Sequence, residues 1–498
     1  MKRYFKYVIC CVLGFVFAFS CIAFLGCKHV DNLESISKNL TNYEINLNLN
    51  SETKQVKASC KIDYANNTES ILRHISFHLY PQYFKKGATD LVVSSTKLNQ
   101  AYPNGLSYAE FEIDRVQVER TDVEVKIEGE HGGILKVQLP NSLLPGERVC
   151  VFVEFSFVLP NCEHRFGYGE KTINLGNFYP VACVWEDGEF LTHPYNSNGD
   201  PFYSDMANYI VTISCNKNFV VAGTGEKVDE AITENIKTTT FKADVVRDFA
   251  MVLSEYFEVK CAEANKVYVE YYYFNDENAD KALKAGMDAI SVFSSKFGRY
   301  PYKTFSIVKT DFVHGGMEYP NLVMISSDID NLDDYLNVIV HETAHQWWYG
   351  VVGNNEYIYP WLDEALTEFS TVLFYDYVKG YNLNHKNMVQ ASHDNYSLFV
   401  SVYTDVLGDL NTSMRAVNEY ATEPEYTYCT YVKGVLMFES LYNLVGENKF
   451  IESLKEYYAC NKFKNSTPEQ LMLAFENVCK KDLEGFFNSW IEGKVVIR

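Results

Sequence analysis

At 498 residues the chain exceeds one ordinary hydrophobic core and reads as two or three domains. With 47% hydrophobic and 22% charged residues it is globular, which excludes a disordered chain. The net charge of -21 repels a phosphate backbone and excludes nucleic acid as a partner, while it suits cationic ligands such as peptide amino termini.

Residues 1–27 read as a targeting segment. Lys2, Arg3 and Lys6 precede an apolar run from Val8 to Gly26 in which Ser20 is the one polar side chain apart from cysteines. The positive flank stays in the cytoplasm and places the rest of the chain outside. Leu25-Gly26-Cys27 resembles the end of a bacterial lipobox with Cys27 as the lipidated residue, although Phe24 stands where that motif usually carries Leu. The run is equally long enough for an uncleaved transmembrane helix. Signal peptide of a lipoprotein or membrane anchor, both alternatives hold the chain at the cell membrane on its extracytoplasmic face. Nine cysteines beyond the leader have no paired spacing and form no C-x-x-C knuckle, so most are expected to be small buried hydrophobes.

Residues 28–42 are polar and are expected to form a tether. From Tyr43 to Asn50 the pattern alternates, with Tyr43, Ile45, Leu47 and Leu49 on one side of a predicted strand. Further short alternating runs follow at 57–64, 123–128, 149–157 and 209–215. Punctuators such as Pro103-Asn104-Gly105 and Asn196-Ser197-Asn198-Gly199 separate them. Residues 43–255 therefore predict an antiparallel β domain.

Residues 256–498 predict a second, mostly helical domain. Ala279 to Phe297 has helical spacing, and strands at 305–309 and 322–326 flank the loop His314-Gly315-Gly316-Met317-Glu318-Tyr319-Pro320. Then comes His341-Glu342-Thr343-Ala344-His345, with Glu364 eighteen residues beyond His345. On a helix His341 and His345 leave the same face one turn apart. With Glu364 they supply three ligands for one zinc ion and leave the fourth position for water, which Glu342 is placed to deprotonate. The aromatic run Trp347-Trp348-Tyr349 is expected to wall this site. Helices follow at 431–444, 448–460 and 468–479, so the whole is α+β.

The His-Glu-x-x-His segment with Glu364, the Gly-Gly-Met-Glu-Tyr loop before it and Tyr431-Val432-Lys433-Gly434 after it together resemble the aminopeptidase N-like family of gluzincin zinc metallopeptidases. Leu483 to Trp490 also resembles the end of that family's thermolysin-like catalytic domain. The resemblance implies that His341, His345 and Glu364 hold zinc, that Glu342 is the base and that Tyr431 stabilises the oxyanion. It implies that Glu318 binds the substrate's free α-amine and that Gly315 and Gly316 lie against the peptide, their missing side chains permitting close approach. Glu368, one turn beyond Glu364, is a candidate for orienting a ligand.

The chain departs from the family pattern at three points. Tyr319 replaces the family's Asn and is expected to reshape the first specificity pocket. The family's second amine-binding residue, a Gln or Glu of the β domain, has only Asn174 and Asn177 as nearby candidates. The sequence given also ends at Arg498, where larger relatives continue into a helical domain. The expected function is a membrane-anchored extracytoplasmic zinc aminopeptidase acting on peptides with a free amino terminus. The alternatives are a thermolysin-type endopeptidase on the same site and a non-catalytic surface-binding lipoprotein.

Overall fold

Strand Thr41–Asn50 buries Tyr43, Ile45, Leu47 and Leu49 and exposes Glu44, Asn46, Asn48 and Asn50, as its period of two requires. It sits inside an eight-stranded sheet in the order Glu226–Thr233, Ile236–Val246, Ala207–Asn216, Thr41–Asn50, Gln55–Ala65, Arg148–Val158, Glu110–Val118, Thr121–Asp122. All of its pairings are antiparallel except one: Thr41–Asn50 runs parallel to Ala207–Asn216. Two four-stranded antiparallel sheets and a two-stranded one, Trp185–Glu186 with Glu189–Phe190, complete the first half. The computed structural model describes residues 32–88, 92–408, 410–495 and 497, so the expected leader lies outside the described residues. Among these residues no helix is long and apolar enough to cross a membrane.

Part of the expected tether is ordered against the β half. Residues Leu33–Ser37 form a short helix, and the Asn208 side-chain amide donates to the Ser37 carbonyl at 2.8 Å. Polarity alone did not distinguish this docked turn from a free linker.

The sheet changes between Ser254, the end of one β-half strand, and Glu258, which opens a five-stranded mixed sheet. Its order is Glu258–Ala264, Val267–Tyr273, Thr304–Thr310, Leu322–Ser326, Gly316–Met317. Against it lie α1 (Ala279–Lys296) and α2 (Leu332–Ala344), and on these and on one another pack α3 (Pro360–Tyr377), α4 (His385–Leu407), the short α5 (Glu423–Thr427) and α6 (Lys433–Val445). Helix α1 buries Ala282, Leu283, Ala289, Ile290 and Phe293, the stripe that its 3.6 period creates.

The halves share buried polar contacts. Arg247 of the β half is 2% exposed and donates to the carbonyls of Tyr349 and Lys464, each at 2.6 Å. Its guanidinium fills the space left by Gly353, where a Cβ would fall 2.0 Å from Cζ. A buried cation satisfied by backbone carbonyls from a distant part of the chain holds its neighbours in one register. None of the nine cysteines among the described residues is in a disulfide, and six are buried, as expected of small hydrophobes.

Candidate active site

Helix α2 begins at an Asn331 cap whose side chain accepts from the Asp334 N–H at 3.1 Å, and Asp333 and Asp334 favour the positive helix end. Tyr335, Leu336, Ile339 and Val340 bury one face and fix its rotation. His341 lies in its last turn, and His345 is the capping residue just past the end with helical backbone angles. The two Nε2 atoms are 3.0 Å apart. Helix α3 opens with Pro360 in its first turn and brings Glu364 Oε2 to 3.5 Å from His341 Nε2 and 3.2 Å from His345 Nε2.

This donor set fits zinc. Ligands on a tetrahedral ion at about 2.0–2.2 Å stand roughly 3.3–3.6 Å apart, close to the separations seen. Glu364 Oε2 is buried without a hydrogen-bond donor. His345 Nδ1 faces Asp363 Oδ1 at 2.7 Å, which keeps the proton on Nδ1 and turns the Nε2 lone pair toward the other donors. Thr367 Oγ1 adds a contact to the same nitrogen at 3.1 Å. Asp363 is thus the orienting carboxylate that the sequence did not single out. Glu368, the candidate for that task, stands 3.7 Å from His341 Nδ1, beyond hydrogen-bond range.

Glu342 is buried, with an Oε2 that has no partner, and burial pushes its carboxyl up to about 7. The side chain lies in the space that Gly316 leaves free, since a Cβ there would be 2.2 Å from Glu342 Oε1. Gly316 therefore accommodates the expected base rather than only a peptide. Gly315 is open, with its nearest neighbour, Val338 Cγ2, 3.7 Å from a Cβ position.

Glu318 follows the edge strand Gly316–Met317, is 4% exposed and carries an Oε1 without a partner. Its loop is clamped to the end of α2 by Gln346, whose amide donates to the Tyr319 carbonyl at 3.1 Å and whose Oε1 accepts from the Asn321 N–H at 2.8 Å. Burial, opposed by His345 and reinforced by Asp200, raises the Glu318 carboxyl well above the usual range.

Tyr319 does not reshape the cleft as expected. It is fully buried, and its hydroxyl donates to Asn177 Oδ1 at 2.7 Å in space that Gly176 vacates. Asn177 is therefore occupied away from the cleft. Asn174 is likewise committed, donating to the carbonyls of His164 and Asp311 at 2.9 and 3.0 Å and accepting from Thr310. The β-half residue that does face Glu318 is Asp200, directly after the Asn196–Gly199 turn. Oxygens of Asp200, Glu318 and Glu364 all lie within 4.8 Å of one another. Arg165, itself buried over the Phe202 ring, donates to Asp200 Oδ1 and fixes it.

Tyr431 enters from a turn of π-helix at Tyr428–Val432, and its hydroxyl donates to Glu364 Oε1. The neighbouring motif residues explain its placement. Lys433 is buried and donates to the carbonyls of Thr412 and Trp490 at 2.6 Å each. Gly434 lets α6 close on α3, because a Cβ there would fall 2.2 Å from that of Ala365.

The aromatic run does not wall the site. Trp347 and Trp348 are buried behind it, donating to the Gly298 carbonyl and Ser370 Oγ, and Tyr349 donates to Asp248. The cleft itself, about 320 Å³, is lined by Tyr195, Asp200, Glu318, Glu342, Tyr426 and Tyr431 around the His-His-Glu cluster.

Residues 281–490 match the Peptidase family M1 domain. Aminopeptidase M1-D of Oryza sativa subsp. japonica is 24% identical over 307 residues, covering 58% of this chain and 34% of that protein. Aminopeptidase N of Bos taurus is 27% identical over 249 residues, covering 46% of this chain and 26% of that protein. These alignments span about a third or less of the relatives' own length. Among solved structures, the M1 zinc metallopeptidase from Deinococcus radiodurans has the same fold, with a TM-score of 0.64 at 17% identity over 92% of this chain and 95% of that one. A mutant of that protein has been solved with a Tyr-Ser-Ala substrate and covers the same shares of the two chains. With its β-rich half, its helical half and its His-His-Glu cluster, the chain has the two-domain fold of the M1 zinc metallopeptidase structures, and its residues 281–490 are similar to the Peptidase family M1 domain.

Proposed function

We propose that this protein is a zinc aminopeptidase that removes the first residue of peptides, using a single ion held by His341, His345 and Glu364. The observation that carries this reading is the convergence of those three ligand atoms with a partnerless base, Glu342, and a partnerless amine acceptor, Glu318. When bound, zinc polarises the scissile carbonyl and lowers the pKa of water in the site.

The chain's own residues do the rest. Glu342 accepts a proton from the attacking water and delivers it to the leaving amine. Glu318 and Asp200, two carboxylates facing one another, attract the substrate's α-ammonium. An arriving cation relieves the burial that disfavours the Glu318 charge, so the pocket selects a charged terminus over a continuing chain. Tyr431 donates its hydroxyl to the carbonyl oxygen as negative charge develops there, releasing Glu364 to do so. The aminopeptidase names of the relatives and the peptide bound to the bacterial structure support this substrate class.

The leader supports placement at the cell membrane on the extracytoplasmic face, anchored at Cys27 or by the apolar run itself. Cell fractionation of the full chain and its Cys27→Ala variant separates these anchors: release by the substitution indicates lipidation, and retention indicates a membrane helix.

The test of activity is a scan of fluorogenic amino-acid amides and their N-acetylated forms, with and without a chelator. Chelator-sensitive cleavage of free-amine substrates is expected. Equal cleavage of blocked and free forms would show the thermolysin-type alternative, and no cleavage of either would show a binding protein. Glu342→Gln is expected to keep its zinc and lose turnover.

A further inference from the structure

A short segment of the β half reaches across to the helical half beside the Glu318 loop. Lys97 Nζ stands 2.6 Å from Glu423 Oε1, at the start of α5, and 3.1 Å from His314 Nδ1, the residue directly before Gly315-Gly316. Ser94 Oγ donates to the other oxygen of Glu423. One lysine therefore ties together the β half, the substrate loop and the segment that leads into Tyr431. Lys97 and its two partners in this tie, His314 and Glu423, border the same cleft as the metal cluster.

The segment is fixed on the catalytic half independently of that ion pair. Gln100 donates to Asp328 at 3.2 Å. The Ala101 carbonyl accepts from the Glu163 N–H, and the Glu163 carbonyl accepts from the Val313 N–H, each at 2.8 Å. Lys97 and Glu423 are partly shielded, with side chains 31% and 17% exposed, so their attraction is less screened than that of a surface pair.

We propose that the Ser94/Lys97–Glu423 bridge is a strap that closes the end of the cleft beyond the first substrate residue and acts as a steric stop. This deepens the aminopeptidase reading and rests on it. Two different barriers then exclude longer chains. The Glu318 charge disfavours any blocked amine whatever its size. The strap disfavours a chain that continues upstream, because such a chain has to displace a charged hydrogen-bonded tie.

The two barriers respond differently to substrate size, which gives the test. Three fluorogenic substrates of the same scissile bond are compared: the free amine, its N-acetyl form, and a peptide extended upstream by several residues. The strap is opened from either side, with Lys97→Met or Glu423→Gln, and Lys97→Arg is the conservative control. Near-ultraviolet circular dichroism and zinc content confirm that each variant is folded and loaded. In both opening variants the ratio of internal cleavage of the extended peptide to cleavage of the free amine is expected to rise about fivefold or more, while the N-acetyl substrate stays near its original ratio and Lys97→Arg behaves as the unaltered protein. A smaller rise in both opening variants overturns the strap, and so does a parallel rise for the N-acetyl substrate, which would place the effect on Glu318. Failure of the unaltered protein to prefer free amines would instead bring down the aminopeptidase reading, and the strap with it.

Discussion

Gly316 and Glu342 occupy one space: a Cβ on the glycine would lie 2.2 Å from Glu342 Oε1, 2.5 Å from Cδ and 2.6 Å from Cγ. Gly316 cannot retreat easily, since it is paired with Ile325 in the sheet and the neighbouring Gly315 carbonyl accepts from the Ser326 N–H at 2.9 Å. The carboxylate must therefore yield.

Gly316→Ala is accordingly expected to displace the base by about an ångström and to lower kcat/KM by about 10²-fold, because general-base catalysis depends on reach. The atoms nearest the new methyl all belong to Glu342, so zinc content is expected to hold. Steady-state kinetics with metal analysis checks both halves, and near-normal turnover would remove Glu342 from the base position.

Asp363 Oδ1 holds His345 Nδ1 at 2.7 Å in a fully enclosed site. Asp363→Ala is expected to weaken zinc binding by roughly 10–100-fold, since the imidazole loses both its orientation and its tautomer preference. Asp363→Asn keeps an acceptor and is expected to fall between. Competition with a chromophoric chelator measures the affinity directly, and equal affinity in all three proteins would refute the role.

The sequence displayed the metal cluster because helical spacing and a short return to α3 are local features, and it displayed the strand Thr41–Asn50 because alternation is local too. What it hid depends on distant pairing. Nothing in the alternation of residues 41–50 says that their neighbour at 207–216 runs parallel. Asp200 looked like the tail of a turn, since the only signal there was Asn-Ser-Asn-Gly. Its facing of Glu318 requires the two halves to be docked, with Arg165 beneath it. Tyr319 and Trp347-Trp348 misled for a related reason: adjacency to a site in sequence does not say which side of the backbone faces the cleft. Each of these rings points into the core, where Asn177, Gly298 and Ser370 satisfy its polar atom.

A pH-dependent contribution to stability is expected at His385, the first residue of α4. Its Nδ1 lies 2.6 Å from Asp376 and its Nε2 2.7 Å from Glu439, linking the end of α3 to α6. Burial works against its charge, but Glu439 and Asp376 outweigh it and raise its pKa. A raised folded pKa gives stability that is full below the unfolded value of about 6.5 and is lost as pH rises through the folded value. Glu439 is shifted down by the same imidazole, so its share is present above the unfolded carboxylate value and disappears as pH falls through the folded one. The pair thus contributes most between about pH 4.5 and 6.5. His385→Gln is expected to lower Tm most within that window and least above it. Melting curves across pH check this, and a pH-independent loss would mean that packing alone is involved.

The last prediction concerns Tyr431, whose hydroxyl donates to Glu364 Oε1. That bond is the resting alternative to the one needed in catalysis. As the carbonyl oxygen gains charge it becomes a better acceptor than a carboxylate already committed to a metal, and the hydroxyl turns to it. The gain is confined to the transition state, so Tyr431→Phe is expected to lower kcat by about 10²–10³-fold and to leave KM within a few-fold. Burial and the Glu364 charge raise the phenol far above its ordinary value, so it remains a donor throughout the neutral range and its loss imposes no new pH dependence there. Glu364 keeps its approach to both imidazoles without the tyrosine, and zinc content is expected to be retained. Kinetics on one free-amine substrate from pH 6 to 9 test the whole argument: a drop confined to KM would make Tyr431 a substrate-binding residue, and an unchanged kcat would leave the oxyanion to the metal alone.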